Sequence, residues 1–180
     1  MKHMTICMYG AASDNIDEEY FRQVELFGRE IARHGHRLIY GGGGSGLMGA
    51  AARGVRAEGG EVISVTPRFM EDYANLFEDR TQMIWTDTMS ERKAIMEDRG
   101  DVFVIVPGGV GTYDEFFQIL TLDTLKQKSS PIILFNIDGY FDTLINLLNE
   151  STERGFMHCN VWDYVTVADT VPEIMEGLPG

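Results

Sequence analysis

Short runs of apolar and β-branched residues alternate along the chain with longer amphipathic segments. This alternation is typical of βαβ units that build a parallel sheet. The predicted strands are 4–9, 36–40, 61–65, 82–85, 102–106, 132–135 and 165–167. The predicted helices are 17–34, 47–58, 89–99, 113–126, 141–153 and 171–176. The pattern therefore predicts the α/β class, with one doubly wound parallel sheet, helices on both of its faces and a single domain over residues 1–180.

The helix predicted at 113–126 is apolar around its whole circumference. Its large apolar residues are Phe116, Phe117, Ile119, Leu120, Leu122 and Leu125. Such a helix must be covered on two sides, and the sheet covers only one of them. We expect the same helix of a second copy, related by a two-fold axis, to cover the other side, so that the protein is a homodimer. The alternative is cover from the irregular segment 66–81, which we expect to form a surface excursion near the strand ends.

Composition and charge limit the classes of partner. A chain of 180 residues that is 44% hydrophobic can build one sizeable core and is short for two domains. Fifteen Lys and Arg against 28 Asp and Glu give a net charge of −13, which repels nucleic acid and anionic membranes. Any anionic ligand must therefore be small and held by a local site. The longest apolar runs, 102–107 and 131–135, are far shorter than the roughly 20 residues of a membrane span.

The cysteines and histidines predict neither a disulfide framework nor a metal centre. Cys7 and Cys159 are the two cysteines, which is too few for a framework. The four histidines have no metal-ligand spacing with one another or with the cysteines. The N-terminus also has no signal-peptide pattern, so we expect a protein of the reducing cytoplasm that carries no metal or cofactor.

A first glycine-rich loop, Gly41 to Gly49, follows the second predicted strand and leads into a helix. Glycines there let backbone N–H groups approach an anion, and the helix dipole adds to the attraction. The candidate ligand contacts are Gly43, Gly44, Ser45, Gly46 and Met48. The alternative is a tight turn that lets the helix pack closely on the sheet.

Two common nucleotide-binding patterns fit this loop poorly. A dinucleotide-binding loop is followed about 20 positions later by an acidic residue, where this chain has Ile-Ser-Val-Thr-Pro at 63–67. The loop also follows the second strand and not the first. A P-loop ends in Gly-Lys-Ser/Thr, which follows neither glycine run. The pattern therefore disfavours both NAD and a P-loop nucleotide.

A second glycine-rich loop, Pro107-Gly108-Gly109-Val110-Gly111-Thr112, follows the strand at 102–106 and again leads into a helix. The Thr112 hydroxyl is suited to a phosphate oxygen. In a parallel sheet, ligands bind in the crevice at the carboxyl ends of the strands, where both glycine loops are predicted to lie. The two loops together predict a nucleotide-sized ligand there.

Glu115, just after the second loop, has two interpretations. Thr112 and Glu115 have the spacing of a capping box, in which Glu115 only bonds back to the cap backbone. A capping box, however, does not require the four preceding Pro and Gly residues. Adjacent carboxylates at 114 and 115 would also repel an anion unless one of them has a separate task. The residues therefore favour a functional Glu115.

Arg92 and Lys93 begin the helix that lies between the two loops in sequence. They supply a planar bidentate donor and a point charge for an anion in the same crevice. Lys93 has an alternative interpretation, an i,i+4 pair with Glu97 on a solvated helix face. Arg92 has no opposite charge three or four residues further on, so the functional interpretation is stronger for Arg92.

These motifs resemble a known family: the Rossmann-like phosphoribohydrolases that include the cytokinin-activating "Lonely Guy" enzymes, formerly mislabelled as lysine decarboxylases. The resemblance runs from the first strand to Gly155-Phe156, and the combination of P-G-G-x-G-T-x-x-E with Arg-Lys is its most specific part. The matching segments are Gly41 to Gly49, Met89 to Met96, Pro107 to Glu115 and Asn136-Ile137-Asp138-Gly139-Tyr140. Gly10-Ala11-Ala12-Ser13 is similar to a looser version of the family's first loop.

The resemblance implies hydrolysis of the N-glycosidic bond of a purine nucleoside 5′-monophosphate to free base and ribose 5-phosphate. By matching position, Arg92 and Glu115 are the catalytic pair and Thr121 assists. The substrate-lining residues are Ser13, Lys93, Gly108, Gly109, Val110, Gly111, Thr112, Tyr113 and Asp114. Ser90 stands where the family commonly has His, which affects the shape of the pocket and hence the preference for AMP or an N6-substituted AMP.

Two other activities remain to be compared with hydrolysis. A carrier that binds a nucleotide or the molybdenum cofactor without hydrolysis uses the same fold, and the Arg92 and Glu115 pair favours the enzyme over it. A pyridoxal-dependent decarboxylase needs a Schiff-base lysine and a partner for the pyridinium nitrogen, which no motif here provides.

Overall fold

The computed structural model describes residues 3–72 and 74–179. Met1, Lys2 and Gly180, which belong to the predicted domain, and Tyr73, which belongs to the predicted excursion, lie outside the described residues. The strands are β1 Thr5–Tyr9, β2 Arg37–Tyr40, β3 Glu61–Pro67, β4 Gln82–Thr86, β5 Val102–Ile105, β6 Ile132–Phe135 and β7 Val165–Ala168. They pair in parallel in the order β4-β3-β2-β1-β5-β6-β7. The predicted parallel sheet is confirmed.

The helices between the strands are also close to their predicted positions. They are α1 Glu18–Arg33, α2 Gly46–Ala57, α3 Met89–Arg99, α4 Val110–Thr124, α5 Asp142–Glu153 and α6 Val171–Glu176. The largest difference is the start of α4, which begins at Val110 and not at the predicted Tyr113. Short 3-10 turns at Arg68–Met70, Ile137–Gly139 and Val161–Asp163 were not predicted.

The sheet buries both of its faces, as a doubly wound fold requires. Ile6 and Met8 of β1 belong to the core shared with α1, α2 and α6. Cys7 and Tyr9 of the same strand face the core shared with α3, α4 and α5. All five residues of β1 are buried, which explains its continuous apolar run.

The crevice at the carboxyl ends of β1 and β5 is set by the direction of the connections. These strands are neighbours, yet β1 leads to α1 on one face and β5 leads to α4 on the other. The loops after them diverge and leave an opening, which is the usual ligand position in such sheets. The first glycine loop, after β2, ends at the same edge.

The segment 66–81 lies against the first glycine loop. The Gly44 N–H donates to the Asn75 carbonyl at 2.7 Å, and the Phe77 N–H donates to the Gly42 carbonyl at 3.0 Å. On α4, the side chains of Phe117 and Leu125 stay 40% and 56% exposed. The alternative in which this segment covers the outer side of α4 is therefore wrong. None of the helices in the described part of the chain is long and apolar enough to cross a membrane.

Candidate active site

The N-terminus of α4, which follows the second glycine loop, is open. Gly109 is the residue that precedes the helix, and it has no side chain to cap it. Among the described residues, no oxygen accepts a hydrogen bond from the N–H groups of Val110, Gly111 or Thr112. Gly109 and Gly111 are exposed, and Val110 is 86% exposed. These free N–H groups and the positive end of the helix dipole are suited to an anion.

Thr112 is not the cap of this helix. It is the third residue of α4 and is buried, and its hydroxyl lies against Gly108, where a Cβ would collide with it. The capping-box interpretation of Thr112 and Glu115 is therefore wrong. The reason is the earlier start of α4, which places Glu115 in the second turn of the helix, where its carboxylate meets another helix.

The carboxylate of Glu115 pairs with the guanidinium of Arg92, which comes from the first turn of α3. Arg92 Nη2 lies 3.1 Å from Glu115 Oε1, and the two side chains are only 10% and 9% exposed. Arg92 Nε donates to the Val65 carbonyl at 3.2 Å, and Nη1 faces the Met89 sulfur at 4.0 Å. The guanidinium is thus held by contacts with α3, α4 and β3 above the carboxyl edge of the sheet.

Burial raises the pKa of the Glu115 carboxyl to about 7, and the neighbouring Asp114 adds to this, while Arg92 and Lys93 oppose it. A carboxyl with this pKa is present at neutral pH in both its charged and its neutral form. It can therefore accept and return a proton near neutrality, which is the property that general acid–base chemistry requires.

Lys93 of α3 forms its ion pair with a residue of α4 and not with one of its own helix. Its Nζ lies 2.9 Å from Asp114 Oδ2, and the Lys93 side chain is 16% exposed. Glu97, the alternative partner, accepts a hydrogen bond from Gln118. The i,i+4 pair of Lys93 with Glu97 is therefore not formed. Of the two adjacent carboxylates, Asp114 pairs with Lys93 and Glu115 pairs with Arg92.

The first glycine loop, in contrast, uses its N–H groups within the protein. Asp14 Oδ1 accepts from the Gly46 N–H at 2.7 Å, and the Ala11 carbonyl accepts from Leu47 at 2.9 Å and Met48 at 3.3 Å. The Gly44 N–H is bound to Asn75, as described above. The expectation that this loop aims free N–H groups at an anion does not hold for these four residues. Gly43 forms an isolated bridge to Leu76, and Ser45 precedes α2 without a side-chain cap bond.

A cavity of about 320 Å³ lies between the loop after β1 and the second glycine loop. Its walls include Ser13, Tyr20, Pro107, Gly108, Gly109 and Tyr140. The Tyr140 hydroxyl lies 2.6 Å from the Gly108 carbonyl, to which it donates, and 3.4 Å from the Tyr113 hydroxyl. Burial, with a contribution from Tyr140, raises the pKa of Tyr113 to about 12, so Tyr113 keeps its proton at neutral pH.

Tyr20 and Tyr140 were not among the predicted site residues. The signal for Tyr140 was the segment Asn136 to Tyr140, where Asp138 and Gly139 both have positive φ and turn the chain after β6. The side chain of Asn136 holds this turn by accepting from the Phe141 N–H at 2.7 Å. No sequence motif pointed to Tyr20, because its position at the cavity depends on how α1 packs against the sheet.

Of the predicted site residues, Ser13, Gly108 and Gly109 line this cavity, and Arg92 and Glu115 are not among its walls. One predicted residue lies clearly apart. Thr121 is exposed and donates to the Phe117 carbonyl at 2.7 Å. It lies six residues beyond Glu115, about 9 Å further along the helix. With Phe117, Leu147 and Phe156 it lines a separate groove between α4 and α5. Within the described ranges, no group of three or more His, Cys, Asp or Glu residues is placed to hold a metal ion.

Solved structures share this fold at low sequence identity. A molybdenum cofactor carrier protein from Chlamydomonas reinhardtii matches with a TM-score of 0.74 and 24% identity, over 97% of this chain and 95% of that one. A molybdenum cofactor binding protein from Rippkaea orientalis matches with a TM-score of 0.72 and 21% identity, over 98% and 95% of the two chains. At these identities the likeness shows the fold alone.

Sequence relatives are more informative. The family model described as "Possible lysine decarboxylase" matches residues 48–178. A cytokinin riboside 5′-monophosphate phosphoribohydrolase of Mycobacterium tuberculosis is 37% identical over 171 residues, which are 95% of this chain and 91% of that protein. One of Arabidopsis thaliana is 27% identical over 173 residues, which are 96% and 81% of the two proteins. By the extent of these matches, the chain belongs to the "Possible lysine decarboxylase" family, the family of the cytokinin riboside 5′-monophosphate phosphoribohydrolases.

Proposed function

We propose that this protein hydrolyses the N-glycosidic bond of purine nucleoside 5′-monophosphates. Water adds its hydroxyl to the anomeric carbon and its proton to the base, so that free base and ribose 5-phosphate leave. The observation that carries the proposal is the buried pair of Arg92 and Glu115 close to the open N-terminus of α4. The names of the relatives support the same activity.

The 5′-phosphate is assigned to the N-terminus of α4. The N–H groups of Val110, Gly111 and Thr112 have no partner in the described part of the chain and can bind phosphate oxygens, and the helix dipole favours negative charge there. Binding the phosphate, which takes no part in the reaction, fixes the position of the distant anomeric carbon. Gly108, Gly109 and Ser13 border the cavity on this side. The Tyr113 hydroxyl contacts Tyr140 of its wall, and Lys93 pairs with Asp114 on α4.

Glu115 is assigned to the reacting centre. Cleavage of a ribosyl–purine bond passes through an oxocarbenium-like state, which a carboxylate beneath the sugar stabilises. A charge about 4 Å away at an effective dielectric of 20 contributes on the order of 4 kcal/mol, or about a thousandfold in rate. With its pKa of about 7, Glu115 can also take a proton from the attacking water.

Arg92 has two assigned tasks. Its Nη2 keeps Glu115 charged and in place, because the ion pair opposes the effect of burial on the carboxyl. Among the residues that the structure describes, its Nη1 has only the weak contact with the Met89 sulfur, and this leaves it able to anchor the sugar or the phosphate. The partly exposed Met89 is next to Nη1 and offers an apolar wall for an N6-substituted base, whereas Met96 is fully buried in the core.

The test is product analysis with two substrates. Purified protein is incubated with AMP and with N6-isopentenyl-AMP, and free base and ribose 5-phosphate are separated by chromatography. We expect release of base, abolished by Glu115→Gln, and the ratio of the two rates identifies the preferred substrate. Tight binding of both nucleotides without release would instead favour a carrier, the activity named for the proteins of similar fold.

We also propose that the protein is a homodimer. Phe117, Leu147 and Phe156 are between 40% and 81% exposed and line the groove between α4 and α5, and Leu125, at the end of α4, is 56% exposed. Exposed apolar patches of this kind are common at interfaces between subunits. Light scattering coupled to size exclusion should give twice the 20.2 kDa chain mass. A species of 20.2 kDa at all concentrations would contradict the dimer.

We propose as well that residues 1–180 form a single domain and that the protein is cytoplasmic. The two cysteines, Cys7 and Cys159, are free thiols, as is usual in a reducing compartment. The acidic chain, with a net charge of −13, is expected not to bind nucleic acid.

A further inference from the structure

Arg92 lies directly against the first glycine loop. A Cβ on Gly41 would collide with Arg92 Nη2 and would lie 3.1 Å from Cζ. Gly41 is not among the glycines with positive φ, so its backbone would accept any residue. A side chain at position 41 would therefore have to displace the Arg92 guanidinium.

Thr66, at the end of β3, holds the loop from the other side. This side chain is fully buried, and its Oγ1 donates to the Gly41 carbonyl at 3.1 Å. A Cβ on Gly42, the residue after Gly41, would collide with Thr66 Oγ1. The neighbouring Val65 carbonyl accepts from Arg92 Nε. Strand β3 thus fixes the guanidinium directly through Val65 and the loop beside it through Thr66.

We propose that Gly41 and Thr66 are positioning residues that form a seat for Arg92 and keep its guanidinium against Glu115. The inference rests on the function proposed above. It gives the first glycine loop, whose N–H groups are largely used within the protein, a task other than binding the phosphate. The seat acts through Arg92 and touches no substrate.

Displacing the Arg92 guanidinium should change the pKa of Glu115, which a purely structural defect elsewhere would not do. Arg92 and Lys93 face Glu115 from α3, and the like-charged Asp114 is on its own helix. Cys7 and Tyr9 face it from β1, and burial raises the pKa of both above the usual range, so both are neutral. Because Arg92 is the nearest cation, moving it raises the pH at which Glu115 loses its proton.

The primary test compares Thr66→Val with Thr66→Ser. Valine removes the hydroxyl at nearly constant shape, and serine keeps it. We expect Thr66→Val to lower kcat about tenfold with KM within about twofold, and to move the acid limb of the pH profile to higher pH. Thr66→Ser should restore both quantities. Thr81→Val is the control near the other end of β3, because the Thr81 hydroxyl donates to the Val62 carbonyl and accepts from the Val62 N–H, both at 2.9 Å.

Gly41→Ala tests the seat from the other side. The three atoms nearest to the added methyl group all belong to Arg92, and we expect kcat to fall about a hundredfold while the melting temperature changes little. The Arg92 Nε–H signal in the NMR spectrum, identified by its loss in Arg92→Lys, gives a readout without turnover. It should shift or broaden in Gly41→Ala and Thr66→Val and stay unchanged in Thr66→Ser and Thr81→Val.

The two readouts separate the inference from the proposed function. If the wild type releases no base but the Arg92 signal depends on Thr66, the seat holds and the proposed function fails. If the wild type is active, and Thr66→Val leaves the Arg92 signal and the pH profile unchanged, the seat is wrong. The seat is also wrong if Thr66→Ser fails to restore activity to a folded protein.

Discussion

The two glycine loops look alike in sequence and differ in the folded protein. Each follows a parallel strand, contains several glycines and leads directly into a helix. At the first loop, the Asp14 carboxylate and the Ala11 carbonyl already bind the N–H groups at the start of α2. At the second loop, the N–H groups at the start of α4 have no partner among the described residues. Glycine content alone thus does not identify an anion site, because the protein can supply the anion itself.

The difference also separates two tasks. The second loop lines the cavity and leads into the helix that carries Glu115, so the proposed binding and chemistry share one element. The first loop lies beneath Arg92 and against the segment 66–81. In this account, one loop binds the substrate and the other fixes a side chain that acts on it.

The largest expected effect comes from neutralising Glu115, the residue of α4 that is assigned to the chemistry. Glu115→Gln keeps the size and the hydrogen-bonding capacity of the side chain and removes its charge. We expect kcat to fall about a thousandfold because the oxocarbenium-like state loses about 4 kcal/mol of stabilisation. The Kd for AMP should change less than about threefold. Loss of folding with unchanged activity per folded molecule would show that Glu115 is only structural.

The second prediction concerns pH. Burial raises the pKa of Glu115 to about 7, and the proposed mechanism requires the charged form. The rate should therefore fall as pH falls below 7, approaching about tenfold per unit at low pH, or about fiftyfold in total between pH 7 and pH 5. Measurement of kcat/KM from pH 5 to 9 checks this slope. A flat profile over that range would mean that Glu115 does not titrate in the reaction.

A third prediction places a competing charge at the open helix end. Val110→Asp puts a carboxylate beside the free N–H groups, where a helix tolerates it well. The KM for AMP should rise about tenfold, with no loss of stability. The matched control is Thr143→Asp, an exposed position in the first turn of α5. An unchanged KM in Val110→Asp would show that the phosphate does not bind at this helix end.

The smallest expected effect is at the first loop. Asp14→Ala removes the carboxylate that binds the Gly46 N–H. The free energy of unfolding in urea should fall by about 1 kcal/mol because the start of α2 loses a charge-assisted bond. The KM for AMP should stay within about twofold. A rise in KM as large as that of Val110→Asp would show that both loops bind the phosphate.

The sequence was sufficient to predict the fold because each strand and helix leaves a periodic pattern that does not depend on distant residues. The position of the crevice follows from a general rule for parallel sheets, whereas the order of the strands was seen only in the structure. The start of α4 was misplaced by three residues because Gly108, Gly109 and Gly111 look like a turn, whereas the helix already includes Gly111.

The site was predicted in its residue types more fully than in its contacts. The motifs identified Arg92 and Glu115 as candidates, and the lack of a partner along α3 marked Arg92 as unusual. What the sequence could not show were the contacts between distant segments: Asp14 with Gly46, Thr66 with Gly41, and Tyr140 with Gly108. Each joins residues that are 25 or 32 positions apart, so only the tertiary structure brings them together.

The most direct test of the account is a crystal structure of Glu115→Gln with AMP, since this variant should bind the nucleotide and cleave it slowly. We predict phosphate oxygens within hydrogen-bond distance of the N–H groups of Val110, Gly111 and Thr112. The anomeric carbon should lie beside residue 115 and Arg92. A phosphate bound instead at Gly43 to Gly46, with the sugar distant from Arg92, would contradict the account.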